Sequence, residues 1–128
     1  MSRVYQGSGK MLLCIDDSRA ILEYEKTLFE TSGYIVITAE SPQQGLKLAR
    51  MTSFDAVLLD YQMPGMNGHQ LAMEIRRLRP DTPIIMFSGS ELIPEETLEL
   101  VDAALPKTEE INELLSTVAR LWNQTSPA

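Results

Sequence analysis

The segment Phe54-Asp55-Ala56-Val57-Leu58-Leu59-Asp60-Tyr61-Gln62-Met63-Pro64-Gly65-Met66-Asn67-Gly68 is an apolar run that ends in an acid and breaks into a loop. Ala56 to Leu59 is short and shows no polar alternation, the pattern of a strand covered on both faces in a parallel sheet. Asp60 then stands at the carboxyl end of that strand, the edge where open α/β sheets take their ligands. Pro64, Gly65 and Gly68 turn the chain over this edge, and Asn67 is suited to cap the helix that follows. A lone acid could equally do no more than end a strand or hydrogen-bond a turn. What the other strands bring beside it therefore decides the reading.

Before this segment, Met11 to Ile15 gives a first strand closed by Asp16-Asp17-Ser18, and Arg19 to Thr31 an amphipathic helix with Ile21, Tyr24 and Leu28 inward, flanked by Leu22 and Phe29. Gly33 supplies a left-handed stop, and the β-branched run Tyr34 to Thr38 a second strand. Ser41-Pro42-Gln43-Gln44 reads as a capping box opening a helix to about Met51, with Leu46 and Ala49 inward. After it, Leu71, Ala72, Ile75 and Leu78 mark the inner face of a third helix ended by Pro80. Pro83 to Phe87 is a fourth strand, closed by Ser88-Gly89-Ser90. Pro94, Glu95 and Glu96 open a short helix of weak hydrophobic pattern. Ala103-Ala104-Leu105-Pro106 makes a poor fifth strand that suits only a sheet edge. Thr108, Glu109 and Glu110 start a last helix with Ile111, Leu114, Leu115, Val118 and Trp122 inward. The expected organisation is a leader at 1–9, a domain at 10–123 and a polar tail at 124–128.

Strands alternating with helices in one domain of 128 residues give an α/β fold, a doubly wound five-stranded parallel sheet. The flavodoxin-like order 2-1-3-4-5 is expected, with the site where strands one and three diverge. Net charge of -7 argues against a direct nucleic-acid or anionic-membrane surface, because phosphate contacts need clustered cations. No apolar run reaches membrane-spanning length and the amino terminus is polar, so a cytoplasmic location is expected. Cys14, the one cysteine, lies in an apolar run and reads as a buried core thiol. The single histidine, His69, reads as exposed in the first turn of helix three.

That fold delivers Asp16, Asp17, Asp60, Ser88 and Lys107 to one edge. Clustered carboxylates raise one another's pKa unless a cation shares the site. Oxygen donors without histidine or cysteine select a hard ion, and Mg²⁺ is the one expected. A lysine and a hydroxyl beside such an ion suit acceptance of a phosphoryl group on a carboxylate. Each residue alone has a simpler role as helix cap, turn or solvated charge. Those simpler roles give no reason for all of them to end strands on one side.

With these motifs in view, the chain from Lys10 to Trp122 resembles the receiver domain of two-component response regulators, of the stand-alone type. The carriers are Asp16-Asp17, the run Leu58 to Gly68, Ser88 and Lys107. The resemblance implies that Asp60 accepts a phosphoryl group from a histidine kinase phosphohistidine or a small phosphodonor. It implies Mg²⁺ held by Asp16, Asp17, Asp60 and the backbone carbonyl of Gln62, with Ser88 and Lys107 contacting the phosphoryl group. The expected partners are a sensor histidine kinase or phosphotransfer protein and a downstream protein. No turnover of a separate substrate is expected beyond self-catalysed phosphorylation and slow autodephosphorylation.

Three features depart from that family. Ala104 stands where an aromatic ring usually switches rotamer, and a methyl group has none to switch. Thr108 rather than proline follows Lys107, so a trans bond is expected there, the cis form costing about 3 kcal/mol without proline. The stretch from Ser88 to Lys107 also looks a few residues short, which makes Ser90 to Leu105 a candidate specialised or mobile partner surface. Ala104 keeps open a receiver-like binding module that works independently of phosphorylation. A Mg²⁺-dependent phosphatase with an aspartyl nucleophile fits less well, since Gln62 holds the place of its second acid. A flavin-binding reading would set Asp16 and Asp17 against the flavin phosphate.

Overall fold

The computed structural model describes residues 9–89, 92–107 and 111–125. Its strands are β1 (Met11–Ile15), β2 (Ile35–Ala39), β3 (Ala56–Leu59), β4 (Ile84–Ser88) and β5 (Ala103–Pro106). Its helices are α1 (Arg19–Thr31), α2 (Pro42–Met51), α3 (Gly68–Leu78), α4 (Glu95–Leu98) and α5 (Ile111–Thr125). All pairings are parallel and the order is β2-β1-β3-β4-β5, as expected.

Alternation along the strands builds two apolar layers. Leu13, Ile15, Val57, Leu59, Ile84 and Met86 cluster with Leu46 and Ala49 of α2 and Leu71, Ala72 and Ile75 of α3. On the other face Leu12, Cys14, Ala56, Leu58, Ile85 and Phe87 cluster with Leu22 and Phe29 of α1 and Leu114, Val118 and Leu121 of α5. A sheet covered on both faces needs strands apolar at every position, which is why these runs lack alternation. Each large side chain so buried contributes about 1.5–3 kcal/mol.

Short-range polar chemistry sets the helix ends. The Ser18 hydroxyl accepts the Ile21 N–H at 3.3 Å. Asn67 and Gln70 form a complete capping box at the start of α3. Ser41 accepts the Gln44 N–H as expected, but the Gln44 side chain reaches past Ser41 to the Glu40 N–H at 2.8 Å. The box is thus opened out by one residue. Gly33, with φ of +94°, supplies the left-handed turn after α1.

Several expectations need correction. The buried stripe of α1 is Leu22, Glu25 and Phe29 rather than Ile21, Tyr24 and Leu28, and Tyr24 is 53% exposed. The helix is turned by about one residue, roughly 100°, because an acid occupies a core position that periodicity assigns to an apolar side chain. Strands β2 and β4 each start one residue later than read from sequence. Leu78 lies below Leu71 by helical spacing, yet in the last turn of α3 it is 36% exposed. His69 is half-buried, its imidazole tied to Thr97 across to α4. Helix α5 runs on to Thr125, into the stretch read as a tail. Residues 1–8 of the leader, Ser90, the helix start at Thr108 to Glu110, the Lys107–Thr108 bond and the side chains of Ile111 and Trp122 lie outside the described residues.

Helix α4 is a single turn, and an arginine secures the segment after it. The Arg76 guanidinium donates to Leu100 O at 2.9 Å, to Thr82 O and Pro80 O at 3.0 Å, and to Asp102 Oδ2 at 2.8 Å. The same Asp102 oxygen accepts the Ile84 N–H, so α3, β4 and the entry to β5 share one polar knot.

Candidate functional site

The sheet register brings the acids together. Ile15 pairs with Leu59, and the ladder continues one step past both strands, with Asp16 N–H donating to Ala39 O and Asp60 N–H to Ile15 O, each at 3.1 Å. Asp16 and Asp60 therefore emerge side by side and buried, while Asp17 stands exposed at the rim. Ser88 closes β4 opposite Pro106, and its carbonyl accepts the Lys107 N–H at 2.6 Å, which sets the lysine at the same edge.

The Lys107 ammonium bridges two carboxylates, 2.9 Å from Asp16 Oδ2 and 3.4 Å from Asp60 Oδ1. The other Asp16 oxygen accepts the Ser18 N–H at 2.9 Å. Burial alone would lower the Lys107 pKa, but the hydrogen bond and charge of Asp16, with those of Asp60, hold it above its ordinary value. Asp60 is pushed up to about 6 by burial and the Asp16 charge, against the opposing pull of Lys107. One ammonium does not neutralise the group. Ligand oxygens of Asp16, Asp17 and Asp60 lie within 4.8 Å of one another, an all-oxygen donor set suited to a hard divalent ion. Beside it an open hollow of about 400 Å³ is lined by Asp17, Gln62, Met63, Pro64 and Asn67.

All five strand-edge residues expected from sequence are gathered here, and Gln62 lies exposed in the loop on the wall of the hollow. Two further contacts were not foreseen, those of Glu25 and His69. Glu25, 2% exposed on α1, hydrogen-bonds the Cys14 thiol and is pushed up to about 8 by burial and by the charge of Asp16. Burial and the adjoining Glu25 hold the Cys14 thiol well above its ordinary value, so it is an inert core group. His69 makes the second, its Nδ1 2.8 Å from the hydroxyl of the fully buried Thr97. Glu25 had a signal, an acid spaced three residues from Leu22 and four from Phe29. The His69 partner is 28 residues away, and helical spacing carries no trace of it.

A doubly wound sheet with three acids and a lysine at its carboxyl edge defines a receiver. The chain belongs to the response regulator receiver domain family, whose model matches residues 12–119. Response regulator MprA of Mycobacterium sp. (strain KMS) is 31% identical over 119 residues, 91% of this chain and 52% of that protein. Transcriptional regulatory protein GlrR of Escherichia coli (strain K12) is 31% identical over 91% of this chain and 27% of its own length. The chain thus spans about half or less of these curated relatives. Among solved structures, a CheY-like receiver domain protein from Methanospirillum hungatei JF-1 superposes with a TM-score of 0.85 at 28% identity, covering 92% of this chain and 97% of that one. Response regulator protein TrrA from Thermotoga maritima, in complex with Mg(2+)-BeF, gives 0.83 at 31% identity, covering 88% and 98%.

Proposed function

We propose that Asp60 accepts a phosphoryl group in a Mg²⁺-dependent reaction and that the modified chain signals through contact with another protein. The observation that carries this reading is the Lys107 bridge between Asp16 and Asp60 inside a cluster of three acids. The donor is the phosphohistidine of a sensor histidine kinase or phosphotransfer protein, or a small phosphodonor. A cytoplasmic chain acting without direct contact to nucleic acid or membrane accords with the net charge of -7 and with the lack, among the described residues, of any helix long and apolar enough to span a bilayer.

Asp60, ionised above its pKa of about 6, directs a carboxylate oxygen at phosphorus. The phosphorus–nitrogen bond to the donor imidazole breaks, its electron pair leaves with the ring, and an acyl phosphate remains on Asp60. Lys107 is close enough to follow the new negative charge, and Ser88 offers a hydroxyl at the neighbouring strand end. Asp16, Asp17, Asp60 and the Gln62 backbone carbonyl are the groups that would hold Mg²⁺. When bound, the ion supplies charge neutralisation to the phosphoryl oxygens. Positioning and electrostatics then account for most of the catalysis. Water later attacks the phosphorus, releasing inorganic phosphate and restoring the carboxylate. Tyr61 and Gln62, the two residues that follow Asp60 in the loop, set the rate of that second step. The chain turns over no separate substrate.

Ala104 favours one second reading, a binding module indifferent to phosphorylation, because its methyl group packs against the core with no ring to move. Intact mass after incubation with acetyl phosphate, with and without Mg²⁺, on wild type and Asp60→Asn, tests the main reading. A gain of one phosphoryl group that needs the metal and is lost in the variant supports it. No gain under any condition transfers the weight to the binding module.

A further inference from the structure

Helix α3 rests directly on the backbone of the acceptor. The Gly68 N–H donates to Tyr61 O at 2.6 Å, and a Cβ at Gly68 would lie 2.6 Å from Tyr61 Cα and 2.9 Å from Asp60 O. Any shift of the chain at Asp60 and Tyr61 therefore presses on the first turn of α3. His69, the next residue, carries the 2.8 Å hydrogen bond from that turn to Thr97 in α4. Thr97 has no exposed surface, so breaking the bond would strand a buried hydroxyl, which is costly. When His69 moves, α4 must follow it or lose the contact. Helix α4 is poorly held otherwise: it is one turn long and has no side-chain hydrogen bond at its amino cap. The Arg76 knot holds the segment after the helix, at the Leu100 carbonyl and the Asp102 carboxylate, rather than α4 itself.

We propose that the His69–Thr97 hydrogen bond transmits the state of the acceptor loop to α4, His69 being a positioning residue that acts through Gly68 and Tyr61. This rests on the reading of Asp60 as phosphoacceptor, and it gives the chain a route to α4 that makes no use of position 104.

The test is amide hydrogen exchange over residues 95–101 with and without acetyl phosphate and Mg²⁺, phosphoryl occupancy being read in parallel by intact mass. In wild type, exchange in this segment should differ about fivefold between the two states, the weight of one hydrogen bond. In Thr97→Val and His69→Ala the difference should fall to parity at unchanged occupancy. His69→Gln, which keeps a donor and acceptor within reach, should restore it. A merely structural bond would shift the baseline and leave the response intact, so a fivefold response surviving in both Thr97→Val and His69→Ala overturns the proposal. So does a phosphorylated wild type with no response. If wild type takes no phosphoryl group, the acceptor reading fails and the coupling is read from Gly68→Ala, whose Cβ presses on Tyr61. Altered α4 exchange in Gly68→Ala that Thr97→Val abolishes supports the coupling. Equal change with and without Thr97 overturns it.

Discussion

Asp60 and Glu25 are both carboxyls held above their ordinary pKa, and the sign of that shift fixes what they do to stability. A folded-state pKa above the unfolded one means that the folded chain binds the proton more tightly. Stability therefore falls as pH rises through the window between the two values. For Asp60 the window runs from 3.8 to about 6. Asp60→Asn should accordingly be more stable than wild type at pH 7 without metal by up to about 3 kcal/mol, and equal to it near pH 4. Urea unfolding across that range checks this, and a gap independent of pH would contradict it. For Glu25 the window runs from 4.5 to about 8. Glu25→Gln should flatten the decline of wild-type stability over that interval. Parallel pH profiles for the two proteins would place the Glu25 proton elsewhere.

At the scale of elements, the sequence was legible where chemistry is local. Ser18, Ser41 and Asn67 cap the helices they precede, because a side-chain oxygen two or three residues from an open N–H needs no tertiary context. The runs at β1 and β3 were legible because burial on both faces excludes polar residues. The face of α1 was not, since an apolar stripe search passes over Glu25, and a carboxylate is rarely fully buried without a partner. Its Cys14 contact depends on how α1 sits on β1, which no local pattern encodes. The packing of α2 on the sheet gives a direct test. A Cβ at Gly45 would lie 2.5 Å from Ile15 Cδ1 and 2.9 Å from Cγ1, and Ile15 is 1% exposed. Alanine gains about 1 kcal/mol in helix propensity, but overpacking a buried β-branched side chain costs about 1–3 kcal/mol. Gly45→Ala should therefore lower the urea midpoint, and an unchanged or raised midpoint would show that Ile15 yields easily.

Over the whole molecule, the acidic edge is a strained feature built on a well-packed sheet. Two buried acids and one at the rim share a single lysine, and the repulsion left over favours whatever positive charge enters. Mg²⁺ should therefore raise the melting temperature of wild type in a concentration-dependent way, and raise it less in Asp17→Asn. A shift of equal size in both would remove Asp17 from the cation site. The edge itself was legible in sequence because strand ends in a 2-1-3-4-5 sheet converge by topology, whatever the loops do. The link from that edge to α4 was not, because it hangs on one hydrogen bond between residues far apart in the chain. The central claim is that Asp60 carries the phosphoryl group. Its most direct test is to treat the acetyl phosphate product with borohydride, which reduces an acyl phosphate to the alcohol, and to sequence the peptides by mass spectrometry. Homoserine at position 60 alone is the predicted result; an unreduced Asp60 in a chain that has gained a phosphoryl group, or homoserine at Asp16 or Asp17 instead, would contradict the account.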